Sequence, residues 1–280
     1  NIGGTATLIG DPPNIMIGSA AGLTFADFIV YDAPAAILSL VAMVLLFYVL
    51  FGRKLHVDDA HKSAIMELDE REEIKNPILL RQSVIMILLV VVGFMLHGSL
   101  GIESCVVALT AAGVLMLVSG ERIEDALMHV EWTTLVFFAG LFIIVGSLSE
   151  VGVIGMLAQA LVDVTGGSTF TAMIVLLVAS AVVSSFLDNI PFVATMIPIL
   201  MSMEATGMDV APLWWAVSLG ACLGGNGTLI GASANVVMSD IAKKNGTSIT
   251  FARFFKVGFP TMVLTIVVSA VYLIVRFPPM

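Results

Sequence analysis

One twelve-residue segment occurs twice in this chain, and the pair limits what the rest can be. Residues 3–14 read GGTATLIGDPPN and residues 224–235 read GGNGTLIGASAN, at an offset of 221. Seven of the twelve positions are identical: Gly3/Gly224, Gly4/Gly225, Thr7/Thr228, Leu8/Leu229, Ile9/Ile230, Gly10/Gly231 and Asn14/Asn235. Each copy interrupts apolar sequence with glycine, threonine and asparagine. Hydrocarbon offers no partner to a bare N–H or C=O. Non-helical backbone at membrane depth therefore survives only where protein buries it or where it lines a wet cavity. Such an interruption, repeated in two halves, is the pattern of the discontinuous helices that build a transporter's binding site.

Composition puts the interruptions in a membrane. The chain is 59% hydrophobic and only 12% charged, with a mean hydropathy of +1.06, where a soluble domain carries about 25% charged residues. Cys105 and Cys222 define neither a disulfide framework nor a metal spacing. Phosphate loops, metal-ligand clusters and nucleophile elbows are absent from the sequence, and nothing in it suggests nucleic acid. An intramembrane aspartyl protease is excluded as well. Leu8 stands where the first glycine of a Gly-x-Gly-Asp element belongs, and Leu187 where a tyrosine would precede the other aspartate. The chain is not read as an enzyme.

In order, residues 15–21 complete a half-helix and residues 22–32 form a short surface loop ending at Asp32. Residues 33–51 are long enough to span, since a crossing takes roughly 20 residues. These make up the end of a first repeat, residues 1–54. Residues 55–81 are a charged linker with Asp58, Asp59, Glu67, Asp69, Glu70, Glu72 and Glu73 beside Lys62, Arg71, Lys75 and Arg81. Its seven acids and four bases leave a net charge of −3, a third of the chain's formal −9. A second repeat, residues 82–280, holds spans at 82–97, 104–119 and 132–147 and a segment at 150–163 lying along the interface. It continues with a hairpin at 171–203, a broken helix at 214–239 and a last span at 257–275. Pro191 breaks the hairpin at its tip. The hairpin reads as re-entrant, with two ordinary spans as the alternative. The chain opens inside the first motif without Met, so it reads as the later part of a longer protein.

Cytoplasmic loops are enriched in Lys and Arg. Arg53, Lys54, Lys62, Arg71, Lys75 and Arg81 put the linker in the cytoplasm, which leaves the C-terminus outside. Counting crossings from there, the two motif copies run in opposite directions, as inverted repeats require. The location follows: a multi-pass integral membrane protein, in the inner or plasma membrane if bacterial.

Candidate site residues come from the motifs and the hairpin tip. Thr7 and Thr228 offer hydroxyls, and Asn14, Asn226 and Asn235 offer amides that donate and accept. Gly10, Gly225 and Gly231 let backbone groups turn toward a cavity, and Ser233 is a further candidate in the second motif. Half-helix N-termini suit anions, and C-termini suit Na⁺ or H⁺. Asp11 and Asp188 are acids in apolar surroundings, where a carboxylate costs at least about 2.5 kcal/mol unless paired, hydrated or used. Each reads as a relay for a proton or cation, as a helix cap, or as both: Asp188 with Asn189 caps the hairpin's second arm beside Pro191 at the tip, and Asp11 stands ahead of Pro12. The second motif has Ala232 where the first has Asp11, so the repeats differ chemically.

Residues 1–18, 185–198 and 219–238 resemble the ArsB/NhaD group of the ion transporter superfamily, its P-protein members foremost, and more distantly the citrate and dicarboxylate carriers. That resemblance implies an all-α polytopic fold of inverted repeats, each pairing a re-entrant hairpin with a broken transmembrane helix. The first hairpin would lie upstream of Asn1. It also implies an elevator movement against a scaffold that grips a second subunit, hence a homodimer in lipid. Dicarboxylate carriers have Ser-Asn-Thr at hairpin tips, and here the tip reads Asp188-Asn189-Ile190, which favours an inorganic ion. The resulting expectation is a secondary active carrier of a small inorganic ion or anion by alternating access. Na⁺ or H⁺ is the coupling ion, with a Na⁺ site near Asp188, Asn189, Thr228 and Asn235, and no other cofactor. The alternatives are an organic-anion carrier of the citrate type and an anion channel on the same fold.

Overall fold

The computed structural model describes residues 1–52, 63, 66, 74–120 and 122–279. The charged linker at 55–81, with its acidic run, falls largely outside the described residues. Thirteen helices are described: α1 (Ile2–Thr5), α2 (Pro12–Ala21), α3 (Phe25–Phe51), α4 (Pro77–Leu100), α5 (Ser104–Ser119), α6 (Ile123–Met128), α7 (Trp132–Glu150), α8 (Val153–Thr165), α9 (Thr169–Phe186), α10 (Asn189–Ala205), α11 (Ala211–Gly224), α12 (Ser233–Lys244) and α13 (Phe251–Arg276). No strand occurs among the described residues. Helices α3, α4, α7, α9 and α13 are long and apolar enough to cross a membrane. The protein is an all-helical, multi-pass integral membrane protein.

The chain divides into two compact units, Asn1–Leu45 with Leu135–Met280, and Leu46–Thr134. In the second unit α4 and α5 form an antiparallel pair. Gln82 Nε2, near the start of α4, donates to the Val118 carbonyl near the end of α5 at 2.9 Å. A Cβ on Gly93 would come within 2.6 Å of Val107, so glycine is what lets the two helices approach. Their remaining faces are exposed and apolar, as a lipid-facing surface must be.

The first unit is built around α11. Every residue from Pro212 to Gly224 is buried, so this helix is apolar on all sides and sits inside the bundle. Small residues let it in. Gly220 packs against the Leu177 carbonyl and Gly224 against that of Ala181, both on α9, where a Cβ would stand 2.6 Å from each oxygen. Ser184 Oγ of α9 donates to the Ala221 carbonyl at 2.7 Å. Trp215 stacks on Tyr31 of α3 at 4.8 Å and meets Phe28 edge-on at 5.2 Å.

One segment differs from the sequence reading. The surface loop at 22–32 is only three residues long, because Thr24 and Asp27 form a capping box that starts α3 at Phe25. Thr24 N and Oγ1 both donate to Asp27 Oδ2 at 2.7 Å, and Asp27 N donates to Thr24 Oγ1 at 3.3 Å. Gly22, at φ +66°, closes α2 in the left-handed region where glycine is at ease. Asp32 is thereby moved from a loop into the helix. It lies fully buried on the same face as Phe28, Ala35, Ala36 and Ser39.

Candidate functional site

Both motif copies fold as helix, break, helix. The first copy runs from α1 through residues 6–11 to α2, and the second from α11 through residues 225–232 to α12. The second half-helices begin at equivalent positions, Pro12 and Ser233. The residues just before them, Asp11 and Ala232, share nearly the same extended backbone (φ −145°, ψ 138° and φ −153°, ψ 142°). The duplication in sequence is a duplication in geometry.

Each break is closed by its own asparagine. Asn14 Nδ2 donates to the carbonyls of Thr5 at 3.2 Å and Thr7 at 3.0 Å. Asn235 Nδ2 donates to those of Gly225 at 2.8 Å and Thr228 at 3.0 Å. The side chain therefore supplies the donors that the lost helical turn withdrew, as backbone in a membrane requires. Glycine serves the same closure. A Cβ on Gly4 would stand 2.5 Å from the Gly10 oxygen, and one on Gly225 would stand 3.0 Å from the Gly231 oxygen. None of these glycines has positive φ. They are needed for close approach of backbone to backbone, and the expected freedom of φ is not what they provide.

The two breaks touch, and they do so reciprocally. Asn14 Oδ1 accepts from Cys222 Sγ at 3.2 Å, and Asn235 Oδ1 accepts from Asn1 Nδ2 at 3.3 Å. Asn1 and Cys222 are equivalent under the same 221-residue offset. Position i of one copy meets position j of the other and the reverse, which is the signature of a local two-fold. Asn1 Nδ2 also reaches Asn226 Oδ1 at 3.1 Å.

The hairpin tip between α9 and α10 bridges the two copies. Thr228 Oγ1 donates to the Ser185 carbonyl, and Asn189 Nδ2 lies 3.3 Å from both carboxylate oxygens of Asp11. The two candidate acids behave differently. Asp188 Oδ1 accepts from Ile190 N at 3.1 Å and caps α10. Asp11 occupies the cap position of α2, but its side chain makes no capping bond and reaches Asn189 instead. Pro191 falls at the third position of α10, where an N–H would have no helical partner in any case.

The start of the second half-helix has the opposite character. Pro12 and Pro13 remove the first two donors of α2, whereas Ser233 and Ala234 keep theirs on α12, which has no side-chain cap. Asn226 Nδ2 is buried without a partner. The first break thus presents oxygens and the second presents N–H groups. Among the described residues no cluster of His, Cys, Asp and Glu could hold a metal ion. A cavity of about 550 Å³ lined by Phe170, Met173, Pro212, Arg276 and Phe277 lies away from the breaks, and no motif residue lines it.

Two further buried residues join the site that the sequence reading did not include. Ser218 Oγ of α11 lies 2.8 Å from Asn14 Oδ1 and in hydrogen-bonding contact with Asp32 Oδ2. The signal for Asp32 was present in Thr24-x-x-Asp27 followed by an apolar run, which starts a helix early enough to bury it. Nothing in the sequence marked Ser218.

Two broken helices meet with a hairpin tip inside a bundle of apolar helices. The chain belongs to the citrate transporter family, whose model matches residues 1–220. It is 44% identical over 280 residues to the 46 kDa membrane protein of Mycobacterium leprae, covering 99% of this chain and 65% of that protein. It is 43% identical over 280 residues to an uncharacterized transporter of Mycobacterium tuberculosis, with the same coverage of 99% and 65%. The human P protein is 33% identical over 355 residues, covering 98% of this chain and 42% of that protein. The chain spans 65% of the length of the mycobacterial relatives. The family is one of transporters, not enzymes.

Proposed function

We propose that the whole protein is a secondary active carrier that moves a small anion by alternating access, coupled to Na⁺ or H⁺. One observation carries this reading: two breaks of the same backbone geometry meet, one presenting oxygens and the other N–H groups. The anion is held by Asn226 Nδ2 and by the first-turn amides of Ser233 and Ala234, aided by the positive end of the α12 dipole. The coupling cation is held by Asp11, with Asn189 as the link to the hairpin. Asn14 and Asn235 hold the breaks in shape instead of binding the cargo directly.

The family favours a carboxylate as cargo, because its model is that of citrate transporters. A second reading is supported by the Asp188-Asn189-Ile190 tip and the likeness to the P protein: an inorganic cargo, in an ArsB/NhaD-type exchanger. Flux in proteoliposomes of the full-length protein separates the two. Citrate uptake that saturates and follows an imposed Na⁺ or pH gradient supports the first. Gradient-driven Na⁺/H⁺ exchange or oxyanion efflux without citrate uptake supports the second. Current down any anion gradient without saturation would identify a channel and overturn both. An elevator movement in a homodimer, a cytoplasmic linker and an external C-terminus complete the proposal. Thiol labelling of single cysteines from each side of the membrane tests the sidedness.

A further inference from the structure

Asp32 is an acid buried in the bundle with nothing charged to answer it. It is fully buried on α3, its Oδ1 has no partner, and Oδ2 touches only Ser218 Oγ. The titratable groups around it are Cys222 on α11, Tyr272 and Arg276 on α13, its neighbour Tyr31, and Asp11 beyond Asn14. Of these only Arg276 is a cation. Its guanidinium lies 4.8 Å over the Tyr31 ring, and no ion pair joins it to Asp32 among the described residues. An ionised carboxylate with one hydroxyl for company is a poor tenant of such a place.

Counting hydrogens decides its state. Ser218 has one proton and lies between two oxygens, Asn14 Oδ1 and Asp32 Oδ2. The orientation of the Asn14 amide is fixed, because its NH₂ group donates to the carbonyls of Thr5 and Thr7 and its oxygen accepts from Cys222. Asn14 Oδ1 can therefore only accept. Both contacts are hydrogen bonds only if Ser218 donates to Asn14 and Asp32 Oδ2 donates to Ser218.

We propose that Asp32 is a proton-binding site, wired through Ser218 and Asn14 to the first break. Loss of the proton leaves a carboxylate that takes the Ser218 hydroxyl for itself. The serine proton turns from Asn14 Oδ1 to Asp32 Oδ2, the departing proton leaves with water, and Asn14 loses a donor from the helix that faces it. Occupancy of one carboxyl on α3 thereby sets how firmly the first break is tied to α11. This extends the proposed function, in which H⁺ is one of two coupling ions, by giving that ion a place outside the duplicated motif.

The test is infrared spectroscopy of the purified full-length protein at neutral pH. A carbonyl stretch of a protonated carboxylic acid, sensitive to D₂O, is expected in the wild type, lost in Asp32→Asn and kept in Asp11→Asn. Asn at position 32 still donates to Ser218, so the fold should survive. Ser218→Ala gives a second, independent reading, because the band should shift when its acceptor is removed. Absence of the band, or its persistence in Asp32→Asn, overturns the proposal. An unshifted band in Ser218→Ala breaks the connection to the first break and overturns it equally. Failure of every tested cargo to move in proteoliposomes would instead remove the carrier reading, and the spectra would still decide whether Asp32 holds a proton.

Discussion

The two breaks are copies in backbone and opposites in chemistry. Residues 3–14 and 224–235 open at equivalent places, are closed by equivalent asparagines and pinch on equivalent glycines. The difference is confined to what stands at the start of the second half-helix. Asp11-Pro12-Pro13 supplies a carboxylate and no amide hydrogens, and Ala232-Ser233-Ala234 supplies amide hydrogens and no carboxylate. A duplicated frame thus keeps the geometry constant while the two breaks differ in the groups they present. The hairpin tip treats them differently too, binding Asp11 through a side chain and the second break through a backbone carbonyl.

Substitutions at the unmatched positions should break that comparison most. Asp11→Asn is expected to reduce gradient-driven uptake in proteoliposomes to the level of empty vesicles, because the first break then lacks its only carboxylate. Ala232→Asp installs the first break's chemistry in the second. Its carboxylate caps α12 and occupies the amides that would hold an anion, so uptake should fall while thermal stability holds or rises by about 1 kcal/mol.

The matched positions should respond alike, and to a lesser degree. Asn14→Ala and Asn235→Ala each strand one backbone carbonyl, that of Thr5 or Gly225, at about 1–3 kcal/mol, while the Thr7 and Thr228 carbonyls keep the Gly10 and Gly231 amides. Asn14→Ala should be the more damaging, since it also deprives Ser218 and Cys222 of an acceptor. Gly225→Ala and Gly4→Ala overpack their breaks by about 1–3 kcal/mol, with Gly4 the worse because its approach to Gly10 is closer. Thermal unfolding of the full-length variants reads both series. Asp188→Asn comes last: asparagine caps a helix as well as aspartate, so a change of less than about 0.5 kcal/mol is expected.

Much of this was readable in the sequence, because a break in a membrane helix needs residues found almost nowhere else in an apolar chain. The duplicated glycines and asparagines fixed where the helices stop. The helices themselves ran past the apolar runs at their ends, as at Pro77, where Asn76 Oδ1 accepts from Leu79 N at 3.1 Å, because polar caps belong to the helix and not to the loop. Asp32 was misplaced for the same reason. A polar residue two positions before Pro34 looks like a loop unless the capping box eight residues upstream is noticed first. The division of labour among the candidates needed three dimensions. No spacing says that Asn14 closes its own break, or that Asp188 caps a helix while Asp11 reaches across to the hairpin.

The central claim is that the two copies face each other about a local two-fold, and oxidative cross-linking in the full-length protein tests it directly. With Cys105 replaced by serine, Asn14→Cys should cross-link to the native Cys222, and Asn1→Cys should cross-link to Asn235→Cys once Cys222 is also removed. Both links are predicted to form and to hold the two halves together after cleavage of the linker. If either pair stays reduced while the other closes, the two-fold fails; if neither closes, the breaks do not meet.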